Sequence, residues 1–102
     1  MPTLQDAAGS AEAQSSDADV HLRRGLAHAY AGELRRAVEE VQKAVDLQPR
    51  NGEAHLVLAR MHYLMGKYAA AEAELAKAES NGAQVPPEMA ASIRRHMAEP
   101  AK

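Results

Sequence analysis

The chain has 102 residues, 46% of them apolar and 25% charged, with a formal net charge of −2 and no cysteine. That length allows one small domain with a modest core, and the absence of cysteine excludes disulfides and thiolate-based metal or nucleophile chemistry. The near-neutral balance offers no electrostatic footprint for nucleic acid. Most of the apolar share is alanine and leucine, with three tyrosines and no phenylalanine or tryptophan. Few β-branched residues compete with these helix formers and no strand-like alternation is present, so an all-α domain is expected.

Residues 1–17 carry Asp6, Glu12 and Asp17 without a lysine or arginine, and they are small, polar and without helical period. Such a segment buries too little to offset its ordering entropy, so a flexible tail is expected. It lacks the basic start and apolar core of a secretory signal, and nowhere does an apolar run approach the ~20 residues of a membrane span. A cytoplasmic protein without a membrane partner follows as the expectation.

The first helix is predicted to start near Asp17, with Ser16 or Asp17 as N-cap, and to stop at Gly32. In the next, Leu34, Ala37, Val38, Val41, Ala44 and Val45 form one stripe of a 3.6-residue period. Pro49 ends it, because a proline pushes the residue before it out of the helical region. Asn51 is the predicted N-cap of a third helix over residues 52–65, closed by Gly66. A fourth runs from Lys67 or Tyr68 to about Glu79, with Tyr68, Ala71, Leu75 and Ala78 on one face, and Asn81–Gly82 caps it. Pro86–Pro87 suits the first turn of a fifth helix, where a missing N–H is harmless. That helix is expected to turn Met89, Ile93 and Met97 inward and to end near Ala98, leaving 99–102 as a short tail.

Sliding residues 18–49 onto 52–83, an offset of 34, gives eight identities in thirty-two positions without a gap. They pair His21 with His55, Leu22 with Leu56, His28 with His62, Gly32 with Gly66, Ala37 with Ala71, Glu40 with Glu74, Lys43 with Lys77 and Ala44 with Ala78. A further step of 34 sets His96 over His62 and Arg94 over Arg60. Self-similarity at a fixed period marks a repeat architecture.

The first repeat reads His21-x2-Arg24-Gly25-x2-His28, then Ala37-x3-Val41, then Pro49; the second reads His55-x2-Leu58-Ala59-x2-His62, then Ala71-x3-Leu75, with Ala83 in the proline slot. This spacing resembles the tetratricopeptide family, whose 34-residue helix–turn–helix pattern is Trp-x2-Leu-Gly-x2-Tyr, Ala-x3-Phe, Pro. The resemblance implies an α-solenoid of antiparallel helix pairs in a right-handed superhelical stack, within a domain over 18–98. Repeat 1 would span 18–51 and repeat 2 would span 52–85, followed by a capping helix over 86–98. Arg24 departs from the pattern, standing where the family buries a leucine. Two repeats also fall below the three or so that build a stable stacked core, so either the fifth helix or another chain supplies cover.

The histidines do not form a metal site along one helix. Residues seven apart return to one face but lie about 10.5 Å apart along the axis, whereas zinc holds ligand nitrogens at about 2.0–2.1 Å. A bridge between repeats, His28 to His62 or His62 to His96, lacks supporting carboxylates. The histidines fill the Trp and Tyr slots of the pattern, so a packing role is expected, with pH sensitivity as the alternative. Ser92 and His96 stand at i, i+4 without an orienting acid or oxyanion hole, and no glycine-rich phosphate loop is present. Glu39, Glu40, Glu72 and Glu74 read as solvated helix positions. No catalytic residue, cofactor or metal is therefore assigned.

What the resemblance implies instead is a protein or peptide partner. In the family the first helix of each repeat lines a concave groove, and those slots fall at Asp19, Leu22, Leu26 and Ala29, at Glu53, Leu56, Arg60 and Tyr63, and at Ala90, Arg94 and Met97. An apolar strip with Arg60 and Arg94 at its far end suits an amphipathic segment docked as a helix in a groove. The expected partner-binding residues are Leu22, Leu26, Leu56, Arg60, Tyr63 and Arg94. The alternative use of the strip is closure of a homodimer or higher oligomer.

Overall fold

The computed structural model describes residues 4–98, with side chains from Asp17 onward; the expected tail over 99–102 lies outside the described residues. Five helices follow in order: α1 (Leu4–Tyr30), α2 (Leu34–Leu47), α3 (Gly52–Leu64), α4 (Tyr68–Ser80) and α5 (Pro87–Ala98). Each packs against its neighbour in the chain, α1 on α2, α2 on α3, α3 on α4 and α4 on α5. Among the described residues there is no strand.

Helix ends follow local chemistry. Gly32, Gly66 and Gly82 take φ of +80°, +77° and +81°, the left-handed conformation that closes a helix without a Cβ penalty. The same bond pattern recurs after each: Glu33 N–H donates to the His28 carbonyl at 2.8 Å, Lys67 to that of His62 at 2.8 Å and Ala83 to that of Ala78 at 3.0 Å. At the start of α3 the Asn51 side chain accepts from the Ala54 N–H at 3.2 Å, as a capping asparagine does.

One end departs from expectation. Helix α1 begins at Leu4, well ahead of Asp17. The segment holds Ala7, Ala8, Ala11 and Ala13 and no proline. Elongating an existing helix avoids the nucleation cost, and one internal glycine costs only ~1 kcal/mol.

The core forms two linked clusters. Val41 and Val45 of α2 meet Ala54 and Leu58 of α3, with Leu22, Val38 and Val57 half-buried around them. Ala59, Ala71, Leu75, Ala90 and Ile93 join α3, α4 and α5, flanked by Leu56, Tyr63, Val85 and Met89. Ile93 thus stands against Leu75 as Leu58 stands against Val41, an offset of 35. The α4–α5 connection is longer than the α2–α3 connection, which slips the third step past the constant 34 by one residue. Met97 was expected inward but is 49% exposed. Steps of four residues drift about 40° each on a 3.6-residue helix, so the third position in the series Met89, Ile93, Met97 leaves the buried face.

Gly25 is where α1 and α2 approach most closely. A Cβ added there would sit 2.5 Å from Val41 Cγ2 and 3.1 Å from the Ala37 carbonyl oxygen. Valine is stiff at χ1 and cannot swing aside cheaply. Gly25→Ala gains ~1 kcal/mol of helix propensity but forces overpacking worth ~1–3 kcal/mol, so the net expectation is destabilisation by about 1–2 kcal/mol. Urea unfolding checks this, and Val41→Ala in the same chain should make Gly25→Ala neutral or stabilising.

Candidate functional site

The expected groove residues divide between core and surface. Leu22 is half-buried against the α2–α3 cluster; Leu56 and Tyr63 are half-buried against the α3–α5 cluster. Leu26 is half-buried on α1 and Arg60 is exposed on α3. Arg94 is exposed but engaged within the chain: its Nε lies 3.5 Å from Glu72 Oε2 and its Nη2 donates to Glu79 Oε1 at 3.3 Å. It therefore ties α5 to α4. Arg60 has no acidic partner among the described residues.

Tyr63 belongs to an aromatic cluster that joins three helices. Its ring meets that of His96 edge-on at 5.4 Å, and His96 stacks on Tyr68 at 4.4 Å. Pairs of this geometry add ~0.5–1.5 kcal/mol beyond their buried area. His96 Nδ1–H donates to the Ser92 backbone carbonyl at 2.8 Å, so the ring is oriented by the main chain and the Ser92 hydroxyl is not its partner.

The histidines of the repeat have a role that apolar packing does not describe. His21 Nδ1 lies 2.6 Å from Glu40 Oε2, and His55 Nδ1 lies 2.6 Å from Glu74 Oε2. The two pairs are related by the 34-residue offset and each joins the first helix of a repeat to the second. Lys43 and Lys77 stand one turn on from the two glutamates, 3.6 and 3.5 Å from their other oxygens. Glu40 and Glu74 were read as solvated but are only 17% and 13% exposed. The signal was present in the sequence: histidine, glutamate and lysine recur together at one offset.

The second pair is the more enclosed. His55 is buried, and its Nε2 lies 2.6 Å from the Pro49 carbonyl. The Pro49 carbonyl only accepts, so Nε2–H donates to it, while Nδ1 is held against the Glu74 carboxyl. The ring ties α3 to α4 and to the turn before α3. His21 makes only the carboxylate bond among the described contacts. Its hydrogen bond holds the Glu40 carboxyl below the ordinary range; burial opposes this and Lys43 assists it.

His62 is the exception among the four. Its Nδ1 is buried without a partner, whereas its counterpart His28 has Glu33 Oε1 at 3.5 Å. The repeat explains the difference, since Lys67 occupies the slot of Glu33. Burial lowers the His62 pKa; Lys67 lowers it further and Glu74 opposes them. The ring packs with its buried Nδ1 unpaired, surroundings that favour the neutral form. Among the described residues, no group of three or more His, Asp or Glu is arranged to hold a metal ion.

A family model described as tetratricopeptide repeat matches residues 22–86. The curated proteins searched gave no match.

Two predictions follow from the paired and unpaired histidines. Glu74→Ala leaves the buried His55 without its carboxylate and is expected to cost about 3–5 kcal/mol. Glu40→Ala, facing the more accessible His21, should cost about 1 kcal/mol; thermal or urea unfolding ranks them. His62 prefers its neutral form in the fold, so the unfolded chain binds more protons and stability drops as pH falls through the ordinary histidine value of 6.5. The stability difference between wild type and His62→Gln should therefore be larger at pH 7 than at pH 5. Glu40 adds stability above the ordinary glutamate value of 4.5, which is lost as pH falls further, through its lowered value.

Proposed function

The chain belongs to the tetratricopeptide repeat family, and from that premise we propose that it is a non-enzymatic adaptor whose α1, α3 and α5 line a groove for a peptide or amphipathic helix. Repeats of this family are generally protein–protein interaction modules. The proposed contact residues are Leu22, Leu26, Leu56 and Tyr63, with Arg60 receiving an acidic side chain of the partner. Arg94 is proposed at the rim, where it is shared with Glu72 and Glu79.

The observation that carries this reading is the half-buried state of Leu56 and Tyr63. Each is anchored on the α3–α5 core and keeps part of its surface accessible. An apolar side chain held from below and open above is pre-ordered, so little rotamer entropy is lost when a partner covers it. Arg60, without an internal acid among the described residues, lies one turn from Leu56 on the same face of α3. Together they fit a helix-in-groove mode. No helix among the described residues is long and apolar enough to cross a membrane, and we propose the cytoplasm as the place of action.

Selection of a displayed random-peptide library against the purified protein tests this. Enriched sequences should share apolar residues at helical spacing with one acidic residue, and Leu26→Ser or Arg60→Glu should weaken their binding at least about tenfold, or 1.4 kcal/mol. Circular dichroism should be unchanged for both variants. Enrichment of no sequence, or binding indifferent to both substitutions, contradicts the groove. If the strip instead closes a homodimer, mass by light scattering will rise with concentration and fall again in the Leu26→Ser variant.

A further inference from the structure

Among the described residues, the exposed large apolar side chains are Val20, Tyr30, Leu47, Leu64 and Met97. Three of them share one position in the fold. Tyr30 is the last residue of α1, Leu64 the last of α3, and Met97 stands one residue before the end of α5. They are 90%, 57% and 49% exposed. Contacts between the turns bring these helix ends together. Met65 lines a cleft of about 550 Å³ with Gly32, Leu34, Arg35 and Arg36 of the α1–α2 turn. His96 stacks on Tyr68 at the α3–α4 turn. The result is an apolar row across the turn end of the array, with a recess between its first two members.

The flanks of this row are cationic. Arg35, Arg36 and Lys67 are exposed there; among the described residues of the two turns the acid is Glu33, whose carboxylate is shared between Arg36 at 3.1 Å and His28 at 3.5 Å. Arg35 and Lys67 have no acidic partner among the described residues. The first turn of α2 has no side-chain cap, so its amides add to the positive potential. Scattered exposed apolar residues are ordinary on a protein surface. A row of them at one end, bordered by unpaired cations, is the composition of an interaction site.

We infer that this turn end is a second docking surface, distinct from the groove, for an acidic segment of another protein that carries bulky apolar residues between its carboxylates. Charge complementarity selects an acidic occupant. The recess at Leu34 and Met65 favours a peptide over a lipid surface, because a side chain can enter it and a planar headgroup layer cannot. In a polyproline II segment residues three apart recur on one face, about 9 Å apart. Such a segment can turn its apolar residues toward the row together, with glutamates flanking them.

The probe is a fluorescein-labelled peptide with leucine at every third position and glutamate between, titrated against the full chain by anisotropy. Saturable binding is expected. Tyr30→Ser combined with Leu64→Ser should weaken it at least tenfold, as should Arg35→Glu combined with Arg36→Glu, while Leu26→Ser in the groove leaves it unchanged. A peptide with lysine for glutamate, or serine for leucine, should not bind. The inference is overturned by no binding, by equal binding of the lysine peptide, or by loss with Leu26→Ser alone. It is also overturned if the probe does not bind while vesicles of phosphatidylcholine and phosphatidylserine sediment the protein. All substituted side chains are exposed or half-buried, and circular dichroism confirms that each variant is folded. The two surfaces share no substituted residue, so failure here leaves the groove standing and failure of the groove leaves this surface standing.

Discussion

Close approach of antiparallel helices through missing or minimal side chains is the constraint from which the rest of this structure follows. Gly25 admits Val41 and the Ala37 backbone to van der Waals distance; Ala59 and Ala71, buried in one cluster, do the same for the next pair. Gly52 repeats the device at the other end of the α3–α4 pair, with the Asn81 carbonyl 2.9 Å from where its Cβ would lie. Only at such separations can a histidine on one helix reach a glutamate on the other at 2.6 Å. Larger residues at these points would hold the helices apart and leave both partners of each pair buried without a bond, a loss of ~1–3 kcal/mol for each uncompensated group. The polar ties therefore depend on the small residues. The dependence runs one way, since the helices would still meet without the ties.

The same geometry gives the first and last described helices different faces. Leu58 is buried against Val41 and Val45 of the preceding helix, and Val57 flanks it. Their counterparts in the first repeat are Arg24 and Arg23, both exposed. Arg24 stands in a slot that faces a preceding helix only when there is one to face; at the edge that slot meets water, and a charged residue there solvates it. Ile93 does the opposite at the other edge, burying the face of α4 that Leu75 and Ala71 would otherwise leave open. Within the described residues, Arg24 leaves one face solvated and Ile93 covers the other.

Much of this was legible in the sequence because it rests on local chemistry. Glycines at the αL positions, asparagine at an N-cap and the stripe from Leu34 to Val45 depend on residues a few positions apart, and the period of 34 follows from repeated helix lengths. Three features depended on longer range. Helix α1 extends to Leu4 because alanines prolong a helix nucleated elsewhere, which small, polar composition and a missing apolar period do not register. The slip of α5 is set by the length of one connection. The histidine–glutamate ties were hidden by treating each column of the repeat alone: His21 with Glu40 is one feature, and its recurrence as His55 with Glu74 is a correlated pair. The candidate groove was legible as positions. Its division into anchored Leu56 and Tyr63, open Arg60 and engaged Arg94 depends on which acids α4 presents, and α4 presents Glu72 and Glu79 to Arg94 alone.

The distribution of ion pairs also bears on what is left for recognition. Glu33, Glu40, Glu72, Glu74 and Glu79 all have cationic or histidine partners within the chain. These pairs join helix to helix or sit along one helix face, and of their carboxylate oxygens only Glu72 Oε2 is left buried without a hydrogen bond among the described residues, 3.5 Å from Arg94 Nε. Arg35, Arg60 and Lys67 have no such engagement among the described residues, and all three lie toward the turn end or on the first-helix face. Of the described acids without an internal cation, Asp46, Glu53 and Glu88 sit at the opposite end, where α2 finishes and α3 and α5 begin and where Arg50 is also exposed; Asp17, Asp19 and Glu39 lie along α1 and α2. A chain of net charge −2 thus still places unpaired cations, Arg35 and Lys67, beside one another's turns. Net charge hides this, because screening over ~8–10 Å at physiological salt makes these cations act locally. What an approaching acidic segment meets is the nearby field of a few unpaired cations beside apolar surface, and that local field sets both its direction of approach and its register.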